Sequence, residues 1–209
     1  MSDMPDWHRL SDAHHVPFGA AYLSDARIGI DLEDYDYVED EYVLSGPGYL
    51  YDRFEGGAPR RRPSSLEYTT RMLVRRPRRS ADFSGRLHFE ALHPSGDRGI
   101  TWSTLQDYMI RSGHAWAGVT ISNMGVSALK VHDPAAYAAI SLPSDGLRWD
   151  ILGQAARLLR SQDGPLAGFF PERVYASGWS YTGSLWRTFV AEGFHGAGRD
   201  VDGGSILDG

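Results

Sequence analysis

The sequence contains no cysteine. That excludes disulfide scaffolds, thiolate zinc sites, iron–sulfur clusters and a cysteine nucleophile, and it leaves the redox compartment open. Lysine is nearly absent: Lys130 stands alone among 21 basic residues, and the others are arginine. No run of about 18 apolar residues occurs, so no membrane-spanning helix and no membrane partner are expected. The N-terminal stretch MSDMPDWHRLSDAHH lacks the apolar core of a secretory leader, and a cytoplasmic location is the expectation. No P-loop and no G-x-G-x-x-G after a strand is present, so no nucleotide or other cofactor is expected. His8, His14 and His15 lie near aspartates, but their spacing matches no metal-ligand pattern, and no metal site is assigned.

What is present suits a folded enzyme-sized chain. Its 209 residues are 42% hydrophobic and 23% charged, enough for one large domain or one domain with an arm. Six Trp, eleven Tyr and eight Phe argue against disorder. The net charge of −6 is unevenly spread. Residues 1–55 hold thirteen acids against three arginines, and residues 56–99 hold ten arginines against four acids. The arginine-rich stretch, including Arg60, Arg61, Arg62, Arg75, Arg76, Arg78 and Arg79, is expected to pair with the acidic segment or be solvated. Nucleic acid is not an expected partner. Residues 1–34 show no sustained period and read as an acidic N-terminal arm, with a domain over 35–209.

Hydrophobic patterning gives the element order. Residues 36–44, DYVEDEYVL, read as a strand, ended by the turn Ser45-Gly46-Pro47-Gly48, with another strand starting at Tyr49. Residues 56–65 read as a loop and 67–76 as a strand. From residue 86 onward strands and helices alternate: strand 86–92, helix 102–112, strand 115–122, helix 147–160, strand 173–177, a helix from 184, and a strand starting near 201. This alternation predicts an α/β fold with a mostly parallel sheet, an antiparallel N-terminal edge and helices on both faces.

The sharpest chemical signal is RVYASGWSYTGSLWRTFVAEGF over residues 173–194. A short strand meets Gly178-Trp179-Ser180-Tyr181-Thr182-Gly183 and then a helix. This is the layout of a nucleophile elbow, where a serine on a crowded strand-to-helix turn needs small neighbours. Gly178 fits the position two before the serine, but Thr182 stands where G-x-S-x-G has its second glycine. A plain strand–helix turn with a capping Ser or Thr is the competing reading. The Tyr181 backbone N–H would be one oxyanion donor, and the turn HPSGDRG at 93–99 offers Ser95 and Gly96 backbone N–H groups as the other. Downstream lie Glu192, His195, Asp200, Asp202 and Asp208. A helix of about 12 residues carries His195 roughly 18 Å from Ser180, so it is not expected to be the base. The triad acid and histidine are expected beyond Gly209, and the last strands of the sheet with them.

Several segments also resemble one family. Residues 68–77 are YTTRMLVRRP, 83–96 are FSGRLHFEALHPSG, 113–119 are GHAWAGV, 129–137 are LKVHDPAAY, and 176–183 are ASGWSYTG. Together with 37–46 and 149–160 they resemble the alpha/beta hydrolase domain family of bacterial esterase-like proteins, over residues 36–209. The last segment is similar to that family's GxSQS/TG elbow. The resemblance implies an α/β-hydrolase fold, Ser180 as nucleophile and hydrolysis of carboxylic esters. It carries over to the backbones of Tyr181, Ser95 and Gly96 less directly. Tyr181 departs from the usual glutamine, and the family's acid and histidine have no matching positions here. The expected partner is a small-molecule ester, and Trp179, Tyr181 and Trp186 suggest an apolar or aromatic one. Two rivals stand beside this reading: a non-catalytic hydrolase-like binding protein, and an acyltransferase on the same fold. An unfinished sheet edge would also favour association with a second copy.

Overall fold

The computed structural model describes residues 4–10, 15–21, 29–53, 57–195 and 205–209. Six strands and four helices are formed among them: β1 (Asp6–Arg9), β2 (Tyr37–Asp52), β3 (Arg60–Pro77), β4 (Arg86–Ala91), α1 (Ile100–Arg111), β5 (Ala115–Val119), α2 (Asn123–His132), α3 (Arg148–Arg160), β6 (Arg173–Ser177) and α4 (Tyr181–Ala191). The sheet order is β1-β2-β3-β5-β4-β6.

The sheet is mixed, which corrects the expectation of a mostly parallel one. Three pairings are antiparallel, β1/β2, β2/β3 and β3/β5, and two are parallel, β4/β5 and β4/β6. The reason is the length of the hairpin. Ser45-Gly46-Pro47-Gly48 does not end a strand; β2 runs through it in register with β3, from Tyr37↔Pro77 to Gly48↔Leu66 and beyond. Pro47 lies past the last pair with β1, so its missing N–H faces no partner strand. Gly48 sits close under Leu147 and Tyr68, where a Cβ would be 3.3–3.4 Å from their side chains. The loop expected over 56–65 is accordingly shorter, because β3 already starts at Arg60.

Two cores result, one on each face. Met72, Val74, Leu87, Phe89, Ala115, Ala117 and Val119 pack with residues of α2, α3 and α4. Leu73, Leu92 and Trp116 pack with Trp102, Met109 and Ile110 of α1. Adjacent strand residues point to opposite faces, so helices cover both. Helix α2 was not expected from the sequence. Ser122 caps it by accepting the Gly125 N–H at 3.1 Å, but Met124 and Val131 are 61% and 85% exposed and spoil its apolar period. Of the strand expected over 201–207, residues 201–204 lie outside the described residues. Farther on, the Asp208 N–H donates to Val174 O at 2.7 Å and the Ala176 N–H to Gly209 O at 2.7 Å, along the outer edge of β6.

The acid–arginine asymmetry is resolved across the β2–β3 hairpin. Arg75 pairs with Glu39 at 2.6 Å, Arg76 with Asp40 at 3.0 Å, Arg78 with Asp36 at 3.1 Å, and Arg71 with Glu41. The segment 15–21 lies on this charged face. Arg71 also donates to Phe18 O at 2.5 Å and Arg75 to Gly19 O at 2.6 Å. His15 hydrogen bonds Glu41 at 2.6 Å and Asp133 at 3.1 Å. His14 lies outside the described residues.

His88 on β4 and His114 before β5 share one hydrogen bond, Nε2 to Nδ1 at 2.8 Å, with stacked rings. Burial, and then the neighbouring His114, push His88 down to about 4. Burial also lowers His114. A second proton would set one N–H against another. An unfolded histidine titrates near 6.5, so below that pH the unfolded chain takes up protons that the folded chain refuses. The contribution to stability is complete above about pH 6.5 and is lost as pH falls toward 4. Thermal melts across that window are expected to show a steeper fall for the native protein than for His88→Phe.

Candidate active site

Strands β4 and β6 lie side by side and parallel, with Glu90 opposite Ser177. Their C-terminal ends therefore open onto one edge of the sheet. From β4 the chain turns back toward β3 to make β5, and later crosses to the other side of β4 to make β6. Such a reversal leaves a crevice at the strand ends, the usual place for a site in an open α/β sheet. The turn after β4 and the turn after β6 meet there.

The turn after β6 is built by close packing. A Cβ on Gly178 would lie 2.6 Å from the Thr182 carbonyl carbon and 2.8 Å from Trp186 Cδ1. A Cβ on Gly183 would lie 3.2 Å from Gly178 O. The second close approach thus falls at residue 183, one position later than in G-x-S-x-G. Thr182 fills the vacated place: it is buried, and its Oγ1 accepts the Trp179 N–H at 2.9 Å and donates to Trp179 O at 3.0 Å. The resulting turn forces Ser180 to φ 51° and ψ −117°. A non-glycine residue in that region costs roughly 1–3 kcal/mol. Ser180 is exposed and is the N-cap residue of α4, yet its side chain makes no capping hydrogen bond. The capping-serine reading is therefore not what the geometry delivers.

The backbone donors expected at this site differ in whether they are already engaged. Tyr181 is the first residue of α4, and its N–H has no protein partner among the described residues. In the turn after β4, the Ser95 N–H already donates to His93 Nδ1 at 3.2 Å. The Gly96 N–H makes no such bond among the described residues, and Gly96 has φ 80°. Of the two donors expected in this loop, Gly96 is the free one. The His93 and Tyr181 rings, 6.3 Å apart, join the loop to the elbow. His195 sits past the end of α4, whose 11 residues span about 16 Å.

Several supporting residues carry no motif. Glu90 is a buried acid at the end of β4, and it accepts the Thr101 N–H at 2.8 Å, the Trp102 N–H at 3.3 Å and Trp116 Nε1 at 2.9 Å. Burial raises its pKa, and these donors oppose the rise. It anchors the start of α1 beside the site. Thr101 Oγ1 then meets Ser177 Oγ at 3.0 Å and Trp179 Nε1 at 3.2 Å. Arg148 Nη1 donates to the Tyr181 hydroxyl. An acid beside the apolar residues Phe89 and Ala91 in the strand RLHFEA was the available signal for Glu90. Of the three aromatics near the elbow, Trp179 and Tyr181 are each 44% exposed. Trp186 is buried, and its Nε1 donates to Ser177 O at 2.7 Å, which makes it a support of the turn.

A family model described as alpha/beta hydrolase domain matches residues 8–209. The chain belongs to the alpha/beta hydrolase domain family. No curated protein and no solved structure matches the chain. In this alpha/beta hydrolase domain the crevice after β4 and β6 holds an exposed serine in a strained turn at the start of α4, whose first N–H is unengaged among the described residues. Such a set can present an oxygen nucleophile and receive a developing negative charge. No described helix is long and apolar enough to cross a membrane.

Proposed function

We propose that this domain is a serine hydrolase of carboxylic esters, with Ser180 as the nucleophile. The observation that carries the reading is the backbone of Ser180, φ 51° and ψ −117°, at an exposed turn between β6 and α4. Strain of that kind is kept where it serves a purpose, and here it holds Oγ clear of the helix that follows. In the proposed reaction Oγ bonds to the ester carbonyl carbon while a general base takes its proton. The Tyr181 and Gly96 N–H groups would receive the carbonyl oxygen as it becomes an oxyanion. Collapse breaks the bond to the alkoxide, which leaves with the base's proton, and water then releases the acid from Ser180. Helix α4 holds His195 away from this chemistry.

The test is labelling with a fluorophosphonate probe, which bonds covalently to an activated serine. The native protein is expected to be labelled at Ser180, and Ser180→Ala to remain unlabelled. Absence of Ser180-dependent labelling would replace this reading with that of a non-catalytic binding protein. Product analysis with added alcohols or amines separates hydrolysis from acyl transfer.

A further inference from the structure

A cavity of about 520 Å³ lies between the turn after β4, the start of α1 and the segment at Phe18–Gly19. That volume is in the range of small-molecule sites. Its apolar wall is made by Leu73, Leu92 and Trp116, together with Phe18 and Trp102. Its charged lining is Arg71, Arg75, Asp97 and Arg98, with His132 beside them. All but one of these groups are committed elsewhere. Arg71 is held by Glu41 and Asp97, and Arg75 by Glu39. Arg75 also lies between the Trp102 and Trp116 rings, 4.5 and 4.7 Å from their centres. Asp97 is turned to Thr120 at 2.7 Å and to Arg71 at 3.2 Å, and its other oxygen faces Gly125. His132 Nε2 bonds Val16 O at 2.9 Å.

Arg98 is different. It is exposed at the cavity, and no carboxylate pairs with it among the described residues. Nor is it loose. Its Nε donates to Ser95 O at 3.0 Å, and its stem lies over Gly96, whose Cβ position is 3.6–3.7 Å from the side chain. The outer edge of the guanidinium is thus held in place with its paired N–H donors unused, the arrangement that a carboxylate fills with two parallel hydrogen bonds.

We propose that this cavity binds an apolar carboxylic acid, with its carboxylate on Arg98 and its hydrocarbon part against Leu73, Leu92 and Trp116. The assignment goes beyond the hydrolase reading and does not depend on turnover. Hexanoate and the neutral, isosteric hexanamide are the probes, titrated at pH 7 against tryptophan fluorescence, because Trp102 and Trp116 line the cavity. Hexanoate is expected to bind about tenfold more tightly than hexanamide, the gain typical of a hydrogen-bonded charge. Arg98→Gln is expected to abolish the difference while leaving hexanamide binding and the circular dichroism spectrum unchanged. Equal affinities, a preference that survives Arg98→Gln, or no saturable response to either probe would overturn the proposal. Gly96 lines this cavity as well, but probe binding is read without labelling of Ser180, so failure of this proposal and failure of the hydrolase reading are distinguishable.

Discussion

Replacing Arg71 with methionine is expected to destabilise the protein by about 3–5 kcal/mol, the usual effect of removing one partner from a buried ion pair. Arg71 is 1% exposed and bridges Glu41 and Asp97, both buried. Burial opposes its charge, but Glu41, Tyr137 and Asp97 outweigh that, and its pKa is raised. Without it, Glu41 keeps the Tyr137 hydroxyl at 2.8 Å and His15 at 2.6 Å. Asp97 keeps only Thr120, and its second oxygen has no partner among the described residues even now. For a chain of this size the melting temperature should fall by about 10 °C. The pH dependence identifies the cause. Burial already raises the Asp97 pKa, and loss of Arg71, which lowers it, would raise it further. A carboxylate whose folded pKa exceeds its unfolded value gains stability as pH falls. The deficit of Arg71→Met measured at pH 7 should therefore shrink at pH 5. Arg71→Met with Asp97→Asn should be less harmed than the two changes summed.

That network shows where sequence reading stops. The charge asymmetry between residues 1–55 and 56–99 is visible in the sequence, and it points either to pairing or to solvated arginines. Which acid meets which arginine follows from the register of β2 on β3, which places Val43 opposite Arg71 and Glu39 opposite Arg75. That register is fixed by sixteen- and eighteen-residue strands acting together. No local pattern encodes it. The same long pairing absorbed Ser45-Gly46-Pro47-Gly48, a turn by its residues and a strand by its partners. Helix α3 was legible because one face is apolar throughout, with Ile151, Leu152, Ala155, Leu158 and Leu159 all buried. Helix α2 was not, because two of its apolar residues face solvent. The strand–turn–helix around Ser180 was legible for the opposite reason. A strand, a glycine, a serine and a helix within some twenty residues leave the chain few ways to turn. The parallel part of the sheet was read correctly and then extended too far, since the antiparallel run β1–β2–β3 supplies three of the six strands.

The elbow also gives the sharpest contrast between two glycines. Gly178→Ala is expected to slow fluorophosphonate labelling of Ser180 at least about 100-fold, since a shift near 1 Å at a reacting group has that effect. The new Cβ would sit 2.6–2.8 Å from Thr182 backbone atoms and Trp186, and neither the first turn of α4 nor a buried indole can yield cheaply. Gly183→Ala meets only Gly178 O, at 3.2 Å, and a displacement of a few tenths of an ångström accommodates it. Its effect on labelling should be about tenfold or less. Ser180→Gly provides the energetic counterpart. Glycine adopts φ 51° without the penalty a serine bears, so this variant is expected to gain about 1 kcal/mol in stability while losing all labelling. A thermal melt of Ser180→Gly beside Ser180→Ala separates the two contributions. Alanine keeps the Cβ and its strain, so only the glycine variant should melt higher. Equal melting temperatures would mean that the turn holds Ser180 without strain, and the functional argument would then rest on the placement of Oγ and the Tyr181 and Gly96 N–H groups alone.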